Sequence, residues 1–233
     1  MPQPRLRRLV QLYLGLGLYG TSSSLLLLGG LGLDPWDVLH QGLSRQLGLG
    51  VGTWAIIVGL AVLLLWIPLR QKPGIGTISN VILVGAVIDL ILAVVHPPHA
   101  LAPRILLLLG GVFLSGVATG AYIGAGLGPG PRDGLMTGWA QRGHRIWVVR
   151  TTLEISVLVV GFVLGGTVGV GTLVYAISIG PLAHFFIPLL AIRSPASRAS
   201  AQPSTVRAAD AEETSDRATD RTSTPPPTAS QQS

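Results

Sequence analysis

The sequence predicts an all-α fold: a polytopic membrane helix bundle of six transmembrane helices. They form two inverted three-helix repeats, each with a short extra helix after its first span. Three observations predict this. Six apolar runs are each about the 20 residues that a hydrocarbon core of roughly 30 Å requires. Only 11% of the residues are charged, against roughly 25% in an average soluble domain. The chain also matches itself at a spacing of 96 residues, slipping to 95 further on.

The runs fall at about Leu9 to Leu31, Val51 to Leu69, Ile75 to Val95, Arg104 to Leu127, Ile146 to Gly165 and Val168 to Ile192. The first follows Arg5, Arg7 and Arg8, as a signal peptide would, but it is long and no small-residue cleavage site follows it, so it reads as a retained helix. The third stops at His96-Pro97-Pro98 and the sixth at Arg193. Three segments result: a first membrane repeat over 1–96, a second over 97–193, and a tail over 194–233 rich in Ser, Thr, Ala, Pro and Arg. The tail lacks the apolar residues to offset chain entropy and is expected to be disordered in the cytoplasm.

Charge sets the orientation. Lys/Arg in short loops favour the cytoplasmic side. One side carries Arg5, Arg7, Arg8, Arg70, Lys72, Arg132, Arg142, Arg145, Arg193 and Arg198; the other carries Arg45 and Arg104. Both termini are therefore expected in the cytoplasm. The basic residues lie between apolar runs rather than on one soluble face, which excludes a nucleic-acid partner and leaves the lipid bilayer. With no cysteine, disulfide, zinc-thiolate and cysteine-nucleophile chemistry are excluded.

The repeat is an ordered series. Gly15 and Gly20 match Gly111 and Gly116, and Gly30 and Gly32 match Gly126 and Gly128. Pro35-Trp36-Asp37 matches Pro131-Arg132-Asp133. Gly74-Ile75-Gly76-Thr77 matches Gly169-Val170-Gly171-Thr172, and Gly85 matches Gly180. Three spans per half is an odd number, so the second half enters the membrane from the opposite side. Inverted repeats of this kind build many secondary transporters, with a site between the halves.

Each Pro-x-Asp segment reads as a helix start. Asp34 or Gly130 takes the N-cap, Pro35 or Pro131 the first position, and Asp37 or Asp133 the third, where a carboxylate faces free amides. In the first segment Val38, Leu39, Gly42, Leu43 and Leu47 form an apolar stripe opposite His40, Gln41, Ser44 and Arg45. At about 12 residues these helices are too short to span. Two arrangements fit: amphipathic helices lying on the membrane surface, or re-entrant half-helices that line a pathway.

Ionisable groups inside the spans are the candidate pathway residues, because a charge in hydrocarbon is costly and normally faces the bundle interior. Asp89 and His184 match at spacing 95, and with Asp37, Asp133 and Glu154 they complete the candidates. Asp89, His184 and Glu154 each have a structural alternative: Asp89 as a helix cap, His184 in one hydrogen bond, Glu154 in an ion pair with Arg150 four residues before it. Pro35, Trp36, Pro131, Arg132, Gly76, Thr77, Gly171 and Thr172 are read as architectural. No nucleophile elbow, phosphate loop or zinc-protease motif is present. His96 and His99 lack a nearby third ligand, so no catalytic residue, metal or cofactor is expected.

Gly32-Leu33-Asp34-Pro35-Trp36-Asp37-Val38-Leu39, followed by Gly42-Leu43 and Gly50-Val51-Gly52-Thr53, resembles the YczE-type bacterial integral membrane proteins, as does Gly74-Ile75-Gly76-Thr77 with Asn80. The resemblance covers about residues 5–193 and extends at a distance to the YitT membrane proteins. It implies a polytopic plasma-membrane protein and assigns no substrate. The expected function is a transporter or permease for a small solute, with or without ion linkage. A non-transporting accessory, assembly or regulatory membrane protein is the alternative.

Overall fold

The computed structural model describes residues 3–143 and 145–192. The expectation for the tail over 194–233 lies outside the described residues. Among those described there are eight helices: α1 (Gln3–Gly29), α2 (Pro35–Leu47), α3 (Val51–Leu69), α4 (Ile75–Val94), α5 (Leu101–Gly124), α6 (Pro131–Ala140), α7 (Ile146–Val163) and α8 (Val170–Leu190). Six are long and apolar enough to cross a membrane; α2 and α6 are the short extra helices.

Glycines end the first span of each half earlier than the apolar run suggests. Gly30 (φ +58°) follows α1, and Gly126 (φ +66°) follows α5 after a single further residue. The left-handed backbone that glycine accepts turns the chain inward there. Residues 30–34 and 125–130 then lead to α2 and α6. Both segments dock on a helix start. Gly171 N–H donates to Leu31 O (2.8 Å), and Leu33 N–H donates to Thr172 Oγ1 (3.1 Å). Gly76 N–H donates to Leu127 O (2.9 Å), and Thr77 Oγ1 donates to Pro129 O (2.8 Å). Gly76, Thr77, Gly171 and Thr172 thus hold these segments.

Helices α1 and α5 form the centre. Small residues let them approach, as between membrane helices generally: a Cβ on Gly15 would stand 2.7 Å from Tyr122 N, and one on Gly111 3.2 Å from Ser22 O. α4 packs on α1 at Gly20, and α8 packs on α5 at Gly116. Ser22 Oγ donates to Gly111 O (2.9 Å), so the buried hydroxyl is satisfied.

The two short helices are enclosed by protein at their N-termini. α2 packs along α7, with Gly42 against Gly161 O, and α6 packs on α3, with Gly134 against the Trp66 ring. At the far end of α2, Arg45 donates to Gly165 O and Gln46 to Leu164 O. At the far end of α6, Arg142 donates to Pro68 O and Gln71 donates to Gln141 Oε1 (2.8 Å).

Two sequence expectations change. His40, placed on the polar face of α2, is 3% exposed, because α2 is covered on both sides rather than floating with one face in water. Arg132, counted among the loop cations, lies in the middle of the molecule. Position 132 follows the inward segment and begins α6, so its side chain points at the other half.

Candidate functional site

The N-termini of α2 and α6 meet at the centre. Asp34 caps α2: its Oδ1 accepts from Trp36 N (2.8 Å) and Asp37 N (3.0 Å). The same oxygen faces Arg132 Nη1 at 3.4 Å. The guanidinium of Arg132 lies 5.3 Å from the Trp36 ring centroid and 5.9 Å from that of Tyr19, within cation–π range. Trp36 is fixed from below by Val62, Trp66 and Leu135, and the Trp66 indole N–H donates to Pro131 O (3.1 Å).

The second helix start is built differently. Position 130, which matches Asp34 in the repeat, is glycine, and no side chain caps α6. Asp133 accepts from Tyr122 Oη at 2.6 Å. A cavity of about 150 Å³ opens against this end. Its walls include Arg132, Asp133, Asp34, Tyr19, Tyr122, Tyr175 and Asn80, with Arg150 and Glu154 of α7 also in its lining. That volume equals a cavity able to hold benzene, but polar walls make this one suited to water or a polar solute.

A second, smaller cavity of about 30 Å³ lies against α3 and α4, bounded by His40, Ala55, Gly59, Asn80 and Val84. At spacing 95, Ala55, Gly59, Asn80 and Val84 correspond to Arg150, Glu154, Tyr175 and Ile179, which border the large cavity. Residues matched at this spacing thus border a small cavity in the one case and a larger one in the other.

The candidate residues divide accordingly. Asp133, Glu154, Trp36, Pro35, Pro131 and Arg132 border the large cavity. Glu154 accepts from Arg150 Nε at 2.9 Å, the ion pair that the four-residue spacing implies. Asp37 lies behind Trp36, 1% exposed, with Oδ1 3.3 Å from His40 Nδ1; its Oδ2 has no partner. Asp89 and His184 are not brought together. Asp89 accepts from Gly52 N (2.7 Å), Thr53 N (2.7 Å) and Thr53 Oγ1 (2.6 Å), capping α3. His184 is exposed on α8.

Sequence reasoning named Asn80 only within the family pattern and missed Tyr19, Tyr122 and Tyr175. A signal was present for three of these four. Asn80 matches Tyr175 at 95, and Tyr19 matches Ser115 at 96; Ser115 in turn lies 3.3 Å from the Tyr175 hydroxyl. Polar residues at matched positions inside spans mark the cavity wall. Nothing in the pattern singles out Tyr122.

A buried polar centre enclosed by six apolar helices defines a multi-pass membrane protein. The chain matches the family of unknown function DUF6198 over residues 6–188 and belongs to that family, the YczE-type membrane proteins. It is 42% identical to an uncharacterized protein of Haemophilus influenzae over 181 residues, 77% of this chain and 83% of that one. It is 37% identical to the uncharacterized membrane protein YczE of Bacillus subtilis, over 68% of this chain and 74% of the relative. It is 31% identical to YyaS of the same organism, over 77% and 92%. No solved structure matches.

Proposed function

We propose that this protein is a permease for a small solute, built from two inverted three-helix repeats in the bacterial plasma membrane with both termini in the cytoplasm. In this reading it is not an enzyme. The observation that carries it is the polar cavity at which the N-termini of two short helices meet. Half-helices whose ends meet between repeats are the usual site of solute binding in transporters of this architecture.

The inverted arrangement is supported by paired contacts. Arg104 donates to Gly29 O (2.7 Å) and Gly30 O (3.0 Å), while Arg8, its match at 96, lies by Gly126 and donates to Ile192 O (3.3 Å). Gly32 and Gly128 share φ near +126°. The C-terminal end of α2 is held by the α7–α8 connection, and that of α6 by the last turn of α3 and by Gln71 of the α3–α4 connection. In this topology those connections lie on opposite faces, so α2 and α6 are re-entrant. The Lys/Arg asymmetry persists without Arg132 and supports the cytoplasmic termini. An accessory protein needs no polar cavity where the two short helices meet, which favours transport. With Asp89 capping α3 and His184 facing outward, any ion linkage would run through the carboxylates of the centre.

Purified protein in liposomes, assayed for uptake across a panel of small solutes, tests the permease. We expect saturable uptake of at least one solute, reduced at least ten-fold by Arg132→Ala and unchanged by His184→Ala. Uptake no faster than in protein-free vesicles across the panel overturns it. Single cysteines at 35–45 and 131–141, labelled from each side of the membrane, test the topology: the two segments should label from opposite faces, and labelling from one face rejects the inverted repeat.

A further inference from the structure

The centre of the molecule contains one worked example of carboxylate recognition. Asp34 sits where a helix N-terminus and a guanidinium converge: two backbone amides of α2 and Arg132 Nη1 all face its Oδ1. At the matching place in the second half the residue is Gly130. The α6 N-terminus has no side-chain cap, and its first residues border the large cavity. The backbone at Gly130 is extended (φ −61°, ψ 159°), so glycine is not required there for conformation.

What surrounds that place is both donor and acceptor. A Cβ on Gly130 would stand 3.2 Å from the Tyr122 hydroxyl, 3.7 Å from Asn80 Nδ2 and 3.2 Å from Asp133 Oδ2. The bond to Asp34 is the one polar contact of the Arg132 guanidinium among the described residues. Trp36, 5% exposed and part of the cavity wall, has an indole N–H with no partner.

Charge then narrows the ligand. Among the bordering side chains Arg150 pairs with Glu154, and Arg132 faces Asp34. Asp133 remains, its partner a neutral hydroxyl. A plain anion on the α6 end would meet the Asp133 carboxylate. A plain cation beside Asp133 would meet Arg132 and the positive end of α6. A solute carrying both charges a carbon or two apart meets neither conflict.

We propose that the large cavity takes a small amino-acid-like zwitterion, its carboxylate on the uncapped N-terminus of α6 beside Arg132 and its ammonium against Asp133. The size agrees, since a cavity near 150 Å³ accommodates about six heavy atoms. The inference names the substrate class for the permease site proposed above, and it is read by binding rather than by flux.

The test is thermal stabilisation of the detergent-purified full chain, titrated with glycine, alanine and β-alanine, and with propionate and propylammonium at matched ionic strength. We expect at least one zwitterion to raise the melting temperature saturably, with the two singly charged probes at least ten-fold weaker. Gly130→Asn supplies the missing cap, and it should weaken zwitterion binding at least ten-fold without lowering the melting temperature of the free protein. No stabilisation by any zwitterion, or a singly charged probe binding as tightly, overturns the proposal; so does unchanged binding in a folded Gly130→Asn. The wild-type comparison of probes carries the test by itself if that variant does not fold. Zwitterion binding without flux would keep this inference and reject the permease. Flux of another solute with no zwitterion binding would do the reverse.

Discussion

The α3–α4 pair and the α7–α8 pair match each other in sequence at a spacing of 95, yet one is shut and the other open. A Cβ on Gly52 would overlap the Gly85 carbonyl, and one on Gly59 would stand 3.1 Å from Val81 Cγ1. α3 and α4 therefore run backbone against backbone. Among the described residues α7 and α8 make next to no contact. Gly180, the match of Gly85, has nothing within 4 Å of where a Cβ would lie. Where α3 has Ala55 and Gly59, α7 has Arg150 and Glu154. Small residues allow a close seam, whereas two long charged side chains hold one apart. The buried residues tell the same story: four in α3 and six in α4, against two in α7 and three in α8. The lesson is that segments matched in sequence can pack closely in one case and stand apart in the other through a few residues at the seam.

The largest effect tests the seams directly. The chain has no cysteine. Gly59→Cys with Val81→Cys should cross-link nearly completely on mild oxidation, because a Cβ at 59 lies 3.6 Å from Val81 Cβ, within disulfide range. The matching pair, Glu154→Cys with Ala176→Cys, should stay reduced in the unliganded protein. Equal cross-linking, read on a non-reducing gel, would break the comparison.

Next comes Gly52→Val. Forcing a side chain into the closed seam should cost about 3 kcal/mol, measured as denaturation in detergent. Gly180→Val should change stability by less than about 0.5 kcal/mol. A smaller effect follows from Asp89, whose carboxylate accepts three hydrogen bonds at the start of α3. Asp89→Asn should cost about 1–2 kcal/mol in the same measurement, against less than about 0.5 kcal/mol for the matched His184→Asn. The smallest change is Glu154→Gln. Its partner Arg150 is 53% exposed, so losing the pair should shift stability by about 0.5 kcal/mol or less. A large loss there would mean that the ion pair braces α7 rather than bordering an open space.

Much of this was legible in the chain. Apolar run length gave the six spans, and Pro-x-Asp gave the starts of α2 and α6, because caps and fixed proline φ act locally. The four-residue spacing gave the Arg150–Glu154 pair. Other features were not legible. Asp89 and His184 match in sequence but not in role, since only in the first half does a neighbouring helix start, at Gly52 and Thr53, lie within reach of position 89. The choice between a surface and an enclosed α2 was also open, because an amphipathic stripe looks alike in both settings.

By itself the sequence determined what depends on near neighbours: the length of each apolar helix, its caps and breaks, and the self-match between halves. The tertiary structure decided what depends on distant ones. It brought Asp34 to Arg132 across 98 positions, set Tyr19, Tyr122 and Tyr175 around one cavity, and made Gly52 and Gly85 a seam while leaving Gly180 free. Repeat periodicity fixes which residues correspond, but only packing fixes which of them touch.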